Sequence, residues 1–444
     1  MLRLTDWQAI KVLWLIVAAT MPLFAIGELR LNIQALLMHI AIPAFGMGLV
    51  SLVGTIIFLA RRGAIQRPLL AGRHSYVLLT LCFAFLSYHI FRMLPADDPG
   101  LAVREVTKLG LGFMCMLAVL VFFPRDRGFL ELFWWVVIGS SAIFMAYLSF
   151  VSFVVYKSPY LTTSVFEDTS EGRDAFGQYV TCVGPYVFTC VLTTRRWQKI
   201  LGIIFAVIMI AGCLYLGTRS AWVSIMAGLI YLIPVLWKAP RFRDLIVFLL
   251  ITSVLLIVGK WALDNFVRGG ELDYKRRLQY LYAPEEVSEL NTYSQRMFQL
   301  KIGWNLFVAS PFIGVGLTNT LSRGGDPHNS YMTILSDLGV IGELLFLGIL
   351  VIVVMNIVKR PPVYFTGEIP WVSLGTRAAI IALLVSMLAV NLVHTTTIFW
   401  TLLGLALVMN EVERRIEYAM LEEMETSWEV EMRPESPFVR RYFT

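Results

Sequence analysis

The sequence has little charge for its length, and this shortage decides the class of protein. Only 15% of its 444 residues are Asp, Glu, Lys or Arg, whereas 57% are hydrophobic. Soluble globular chains carry about 25% charged residues and about 45–50% apolar ones. An apolar excess of this size cannot be buried in the core of a water-soluble protein, so the sequence predicts a protein of the lipid bilayer.

Cysteine is also scarce, and no Cys-x-x-Cys pair occurs. All five cysteines lie inside apolar stretches, where isolated thiols usually behave as small hydrophobic side chains. We therefore expect no disulfide framework and no zinc or iron–sulfur site. The net charge of +6 comes from short basic clusters between apolar runs. Such clusters orient a membrane protein, so no nucleic-acid partner is expected.

Apolar runs long enough to cross the membrane recur along the chain. A helix needs about 20 apolar residues to span the hydrocarbon core. The expected fold class is therefore an all-α polytopic membrane protein with about 12 transmembrane helices. The spans are predicted at residues 12–27, 36–60, 76–94, 107–123, 129–155, 177–194, 200–217, 219–237, 244–264, 334–358, 374–391 and 393–410.

The positions of the basic residues predict the orientation of these helices. Short cytoplasmic loops carry an excess of Lys and Arg. Every basic cluster here follows an even-numbered span, from residues 61–62 after the second to residues 414–415 after the last. Both termini are therefore predicted to be cytoplasmic. The N-terminal apolar run has no obvious small-residue cleavage site, so it is interpreted as a retained first span.

Four regions follow from this arrangement. Residues 1–264 hold transmembrane helices one to nine, and residues 334–410 hold helices ten to twelve. Residues 265–333 form a long loop on the opposite side of the membrane, and residues 411–444 form a cytoplasmic tail. Long loops tend to be functional. Within this one, the apolar spacing over 293–308 predicts an amphipathic helix lying on the membrane surface.

Three arginines and one histidine are expected on the non-cytoplasmic side, with few carboxylates at the same depth. Arg219 stands between two closely spaced apolar runs, where it marks a binding site or snorkels to the headgroups. Arg296 lies on the predicted amphipathic helix, Arg173 in an acidic loop, and His328 just before span ten. Each of these three also has a plainer interpretation as a solvated side chain.

These residue types suit an anionic lipid headgroup. Arginines bind phosphate through paired hydrogen bonds and keep their charge, and histidine can take a proton from a hydroxyl near neutral pH. A lipid-linked diphosphate is the expected partner, because its lipid would lie in the bilayer and its headgroup at the arginines. No Asp-x-Asp sequence occurs, and the first outer loop offers one carboxylate at residues 27–30. We therefore expect a metal-independent reaction without a cofactor.

Several short motifs resemble those of the O-antigen ligase and O-antigen polymerase superfamily. They are a Pro-x-x-Gly-x-Gly run at 311–316, a His-Asn pair at 328–329 and an Asp-Leu-Gly-Val-Ile-Gly run at 337–342. Their order, spacing and expected side of the membrane match the family together, although each motif is short.

Further residues extend the resemblance over about residues 165–345. Arg219 and Trp222 resemble the family's arginine and aromatic residue at the start of a span, and Arg296 resembles its arginine ahead of the Pro-Gly run. Arg173 occupies the place of an arginine that often precedes a Pro-Asn pair in the family, but this chain has no Pro-Asn there.

The resemblance implies a GT-C-like, membrane-embedded glycosyltransferase of the bacterial inner membrane. Such enzymes move a glycan from undecaprenyl diphosphate to an acceptor hydroxyl at the periplasmic face. In a ligase the acceptor is a sugar of the lipid A core, and in a polymerase it is another lipid-linked repeat. The large loop would then be periplasmic and the protein would contact membrane lipids.

The family's functional residues carry over by position. His328 would be the general base, supported by Asn329 and Trp222. The arginines would bind the diphosphate and stabilise its departing charge, namely Arg219, Arg296 and Arg173.

Alternatives to the ligase remain. An O-antigen or exopolysaccharide polymerase uses the same donor, and only the long outer loop, which could present a lipid-anchored acceptor, favours the ligase. A lipid-linked glycan transporter or flippase is the alternative of another class, because twelve spans are common in transporters. The two halves of the sequence show no similarity that would support it. A metal-dependent polyprenyl-phosphate mannosyltransferase would require the acidic pair that the first outer loop lacks.

Overall fold

The computed structural model describes most of the middle of the chain as helices. The described ranges are 73–122, 127–150, 170–191, 196–216, 219–237, 292–325, 327–359, 371–389 and 399–409, together with several single residues between 8 and 19 and residues 243 and 246. Within these ranges every regular element is helical and no strand occurs. The all-α class is thus confirmed for the described part of the chain.

The helices of these ranges are numbered in chain order. They are α1 Arg73–Met93, α2 Pro99–Phe122, α3 Arg127–Phe150, α4 Ser170–Cys190, α5 Arg196–Leu216, α6 Arg219–Leu236, α7 Thr292–Ala309, the single turn α8 Asn319–Ser322, α9 Ser330–Lys359, α10 Trp371–Ser386 and α11 Phe399–Met409.

Three of the described helices are long and apolar enough to cross a membrane, over Tyr76–Met93, Gly128–Tyr147 and Ser330–Val358. Shorter apolar helical stretches lie in α4, α6, α10 and α11. Large apolar side chains also face outward, such as Ile143, which is 71% exposed. A surface of this kind suits lipid rather than water.

Most of the predicted spans coincide with observed helices. The spans predicted between residues 76 and 237 match α1 to α6, and the last three match α9, α10 and α11. The predicted span 36–60, most of spans 12–27 and 244–264, and the tail 411–444 lie outside the described residues. The total of twelve therefore stays a prediction. Helix α9 begins at Ser330, four residues before the predicted start of its span.

The centre of the bundle is formed by α10, which packs along both α4 and α6. Close approach requires small residues: a Cβ on Gly228 of α6 would lie 2.4 Å from the carbonyl oxygen of Ala378 in α10. Tyr186 of α4 donates its hydroxyl to Thr376 Oγ1 at 2.8 Å, and its ring stacks on Trp134 with centroids 3.6 Å apart. Small residues and isolated hydrogen bonds of this kind are typical of helix packing in membranes.

Helices α9 and α10 run antiparallel and are tied at both ends. The Arg377 guanidinium donates to the carbonyl of Ile357 near the end of α9. The backbone N–H of Ser330, at the start of α9, donates to the carbonyl of Met387 at 2.9 Å, just beyond α10. The start of α9 therefore lies at the end of α10.

The starts of α4 and α6 lie at this same end of the bundle. A Cβ on Gly375, in the first turn of α10, would be 2.9 Å from Thr189 in the last turn of α4, so these two packed helices also run antiparallel. Gly202, early in α5, meets Cys190 at the end of α4, and α5 returns the chain. Only residues 217–218 separate α5 from α6. We call this end, with the starts of α4, α6 and α9, the site end.

Candidate functional site

Helix α9 is broken at Gly339, within one of the motifs that the sequence singled out. Gly339 has φ 67° and ψ −169°, which interrupts the helical hydrogen bonds. Beyond the break, the N–H groups of Val340 and Ile341 donate to the carbonyls of Pro311 and Phe312 at 2.9 and 3.2 Å. The loop before α8 therefore supplies acceptors that the preceding turn of α9 no longer provides.

The same loop also supplies donors to the first half of α9. The N–H groups of Val315 and Gly316 donate to the carbonyls of Ser336 and Asp337, both at 3.0 Å. Residues 311–316 thus bond to both sides of the break. Because a backbone group without a partner is costly in or near a bilayer, the break and the loop depend on each other.

Glycine is required where the loop meets the break. Gly314 has φ 73°, and a Cβ there would lie 2.3 Å from the carbonyl oxygen of Asp337. A Cβ on Gly339 would lie 2.5 Å from the backbone of Phe312 and of Gly314. Both positions combine a left-handed backbone with direct backbone contact, so a side chain fits at neither. These motif glycines therefore allow the close contact between the loop 311–316 and α9 at Gly339, which we call the joint.

Asp337 ties the following turn, α8, to the first half of α9. This residue is only 3% exposed. Oδ2 accepts the N–H of Thr318 at 2.9 Å, and Oδ1 accepts the N–H of Thr320 at 2.9 Å. The Thr320 hydroxyl lies 2.5 Å from Oδ1. One side chain of α9 thus satisfies the backbone at the start of another helix, as a capping residue does.

Helix α1 holds the other side of the loop. The Arg92 guanidinium, 6% exposed, donates to the carbonyl of Gly314 at 2.9 Å, and the Arg92 carbonyl accepts the N–H of Leu317 at 2.9 Å. The Tyr88 hydroxyl donates to the Leu338 carbonyl at 3.0 Å, just before the break. The loop is therefore fixed between α1 and α9.

A polar contact outside the predicted spans joins the α1–α2 turn to α8. Asn319 donates to the carbonyl of Pro95 at 3.0 Å and accepts the N–H of Asp97 at 2.6 Å. The Asp97 carboxylate pairs with Arg323 at 2.8 Å. The hydrogen bond from this guanidinium lowers the pKa of the Asp97 carboxyl and raises that of Arg323.

His328 lies where the chain enters α9 at the site end. It is partly buried and has φ 46°, a left-handed backbone that is uncommon outside glycine. The next residue, Asn329, caps α9 because its Oδ1 accepts the N–H of Met332 at 3.0 Å. Its amide also donates to the carbonyl of Leu388 beyond α10 at 3.0 Å. Asn329 therefore fixes the backbone beside His328.

Arg219, Arg173 and Trp222, which the sequence also identified, belong to helices that begin at the site end. Arg219 is the first residue of α6, Trp222 lies in its first turn, and Arg173 lies in the first turn of α4. Their side chains lie outside what the structure describes. The structure therefore brings together the helix starts that carry these residues, and gives no contact between their side chains and His328.

Arg296 is exposed on α7, whose middle packs beside the His328 segment. A Cβ on Gly303 of α7 would lie 3.1 Å from Pro327 and 3.0 Å from Met332. Arg296 lies about 10 Å further along the helix axis. An open, largely apolar groove of about 560 Å³ lies beside it, lined by Met297, Phe298, Leu300, Lys301, Trp304 and Met332.

The chemistry available here is anion binding and proton transfer. A guanidinium can hold a phosphate, and an imidazole can accept a proton from a hydroxyl. Within the described ranges, no three His, Cys, Asp or Glu side chains are grouped so that they could hold a metal ion. The helix containing Arg296 was expected at 293–308 and is found at Thr292–Ala309.

A family model described as O-antigen ligase matches residues 204–347. This match supports membership of the O-antigen ligase and polymerase superfamily. The matched region contains Arg219, Arg296 and His328, and also the complete break with its loop, whereas Arg173 lies before it. No curated protein matches the chain. The family resemblance of the sequence motifs is thereby confirmed.

The roles of Asp337 and Arg92 were not predicted from the sequence. Asp337 was part of a recognised motif, and an acidic residue within an apolar run is itself a signal, because such residues usually have a specific partner. The partners, Thr318 and Thr320, carry no pattern that would identify them. Arg92 is similar, because its contact at Gly314 is distant in the sequence.

Proposed function

We propose that this superfamily member is an O-antigen ligase. It would transfer a glycan from undecaprenyl diphosphate to a hydroxyl of the lipid A core at the periplasmic face of the bacterial inner membrane. The observation that carries the proposal is the O-antigen ligase domain at residues 204–347, which contains Arg219, Arg296 and His328. The positions of α6, α7 and α9 around the site end support it.

In the proposed reaction, the His328 imidazole takes the proton from the acceptor hydroxyl. The hydroxyl oxygen then attacks the anomeric carbon of the donor, and the bond from that carbon to the diphosphate oxygen breaks. Arg219 and Arg296 stabilise the negative charge that develops on the leaving diphosphate. A direct displacement of this kind inverts the anomeric configuration. No metal is assigned to the reaction.

Helix α7 supports the use of a lipid-anchored acceptor, which a ligase and a polymerase share. It exposes large apolar side chains, among them Phe298 (61%) and Trp304 (51%), next to the His328 segment. It also contains Arg296 and Lys301 and no acidic residue. Exposed apolar side chains beside two basic ones suit contact with lipid and with the anionic headgroup of a lipid-anchored acceptor. A polymerase acting on the same donor remains the second candidate.

The deciding experiment compares lipopolysaccharide and lipid-linked glycans in cells that lack the protein and carry either the wild type or His328→Gln. For a ligase, long glycans accumulate on undecaprenyl diphosphate and the lipid A core stays bare unless the wild type is present. Core carrying single repeats would identify a polymerase instead. Normal glycan pools in the cells without the protein would refute both and favour transport.

The arginines give a second test in the purified, full-length protein. Arg219→Ala and Arg296→Ala are expected to lower kcat/KM about 10²-fold, since each removes a charge from the leaving diphosphate. Arg173→Ala is the matched comparison, because Arg173 lies before the family domain, and a smaller loss is expected there. Full activity of both first variants would contradict the assigned diphosphate site. Unchanged turnover in EDTA is the expected result for a metal-independent reaction.

A further inference from the structure

We infer that Asp337 is a positioning residue for His328, which it holds in place through α8 without touching the substrate. The inference rests on the proposed function, since it gives His328 a role in proton transfer. It arises from the path of the chain between the break in α9 and the start of that helix.

His328 lies in a short segment that backbone hydrogen bonds fix at both ends. On one side, the N–H of Gly325 donates to the Thr320 carbonyl at 2.9 Å. On the other, the N–H of Ser330 donates to the Met387 carbonyl at 2.9 Å. Only residues 326–329 lie between these bonds. The two fixed points, together with the packing of Pro327 beside Gly303 of α7, therefore limit where the imidazole can lie.

The first fixed point depends on Asp337. Its carboxylate accepts the N–H groups of Thr318 and Thr320, each at 2.9 Å, and lies 2.5 Å from the Thr320 hydroxyl. Thr318 has φ 64°, and among the described residues Thr318 and His328 are the two non-glycine residues with positive φ. Such backbone persists only where the surroundings impose it. Asp337 provides that constraint at Thr318.

The second fixed point does not involve Asp337. Asn329 and Ser330 are bonded to the turn after α10, through Leu388 and Met387. Loss of the carboxylate should therefore release one end of the His328 segment while α9 stays docked on α10. The expected consequence is a misplaced imidazole in a folded protein.

An amide cannot replace the carboxylate. Asp337 faces donors only, and both of its oxygens accept backbone N–H groups. In Asp337→Asn, the amide NH₂ would face one of these N–H groups, so that a donor meets a donor. Misplacement by about 1 Å can lower a rate by about 10²-fold. We expect a fall of that size in kcat, with little change in the donor KM.

The test uses full-length protein in lipid nanodiscs, with a lipid-linked glycan donor and lipid A core as acceptor. Glu343→Gln is the matched control, since it makes the same chemical change on the same helix and Glu343 has no bond to the loop among the described contacts. It should keep wild-type kcat. Thr320→Ser keeps both bonds to Asp337 and should also stay near wild type, whereas Thr320→Val should lose part of the rate.

A double-mutant cycle separates positioning from a merely structural effect. If Asp337 acts through His328, the variant with both Asp337→Asn and His328→Gln is no slower than His328→Gln alone. Multiplied losses, or a fall in the amount of folded protein with unchanged kcat per folded molecule, would overturn the inference.

The two proposals can fail separately. A fully active His328→Gln variant would overturn the role of His328 and with it the role of Asp337. An inactive His328→Gln variant together with an Asp337→Asn variant at wild-type kcat would overturn only the positioning role. The ligase assignment would then still stand on the glycan profiles.

Discussion

The break in α9 and the helix packing around α10 differ in how the backbone N–H and carbonyl groups find hydrogen-bond partners. In the packing of α4, α6 and α10, the helices satisfy their own backbone except at Pro185 and Pro234, and they meet through small residues. The ring of Tyr186 in α4 also stacks on Trp134 of α3. At the break, the backbone of α9 opens and a loop supplies the missing partners. In a bilayer, the first arrangement tolerates many sequences, whereas the second needs particular residues at particular positions. The family motifs are concentrated in the second.

The break divides α9 into two halves that differ in how well they suit the membrane core. Residues 340–359, after the break, form about 30 Å of helix and are long enough to cross the hydrocarbon core alone. The first half of α9 contains the polar residues Thr333, Ser336 and Asp337 and can extend beyond the core. The break would then let one helix serve both as a membrane span and as a support for the His328 segment.

The largest expected effect is that of Gly339→Ala. The new Cβ would meet the backbone of Phe312 and Gly314 at 2.5 Å, in a residue with φ 67°. We expect a loss of about 3 kcal/mol or more in the free energy of unfolding, because backbone strain and overlap add. Gly110→Ala, where nothing lies within 4 Å of the new Cβ, is the control. Thermal unfolding of the detergent-solubilised protein measures both, and equal midpoints would contradict the account of the joint.

Gly228→Ala tests the closest glycine contact with α10 and should have the next largest effect. Its Cβ would approach the Ala378 carbonyl to 2.4 Å, but the glycine is in a regular helix and α6 can shift as a body. We expect a loss of about 1–3 kcal/mol. The same unfolding measurement checks it, and a loss exceeding that of Gly339→Ala would reverse the comparison between the two regions.

The helices could be predicted from the sequence, whereas the joint could not. Apolar runs and basic clusters predicted α1 to α6 and α9 to α11, because a helix that crosses the membrane requires mainly a long apolar run. The break at Gly339 lies within such a run. Its partner carbonyls at Pro311 and Phe312 act through the backbone, which leaves no side-chain pattern. The family motif identified the residues without revealing what they do.

For the candidate site, the sequence likewise predicted which residues to consider but not the backbone contacts that hold them. The sequence identified His328 and the arginines by chemical type. The structure brings the starts of α4, α6 and α9, at or beside Arg173, Arg219 and His328, to one end of the bundle. Asp337 and Arg92 were not assigned a role, because their partners are backbone groups of distant residues. Contacts of this type depend on the folded path of the chain, which spacing along the sequence does not encode.

Tyr186→Phe should have a smaller effect within the helix packing. It removes the hydroxyl that donates to Thr376 Oγ1 at 2.8 Å and keeps the ring stacked on Trp134. We expect a loss of about 0.5–1.5 kcal/mol, the net contribution of one hydrogen bond. Tyr186→Ala, which removes the stacking as well, should lower the unfolding midpoint further. Similar midpoints for the two variants would mean that the ring contributes little.

The smallest expected effect is at the exposed ion pair of Asp97 and Arg323, at the edge of the joint. The pKa of the Asp97 carboxyl is lowered in the folded protein by the hydrogen bond from Arg323. The stabilisation is therefore fully present above the usual pKa of an aspartate, about 4, and is lost as the pH falls through the lower folded value. Asp97→Asn keeps the backbone N–H that donates to Asn319, and it removes the charge and one of the two oxygens that accept from Arg323. The unfolding midpoint of this variant should lie slightly below that of the wild type at neutral pH, and the gap should close in acid and in high salt. A gap that persists at high salt would mean that Asp97 acts through its hydrogen bonds, and that the joint extends further toward the solvent than its buried part.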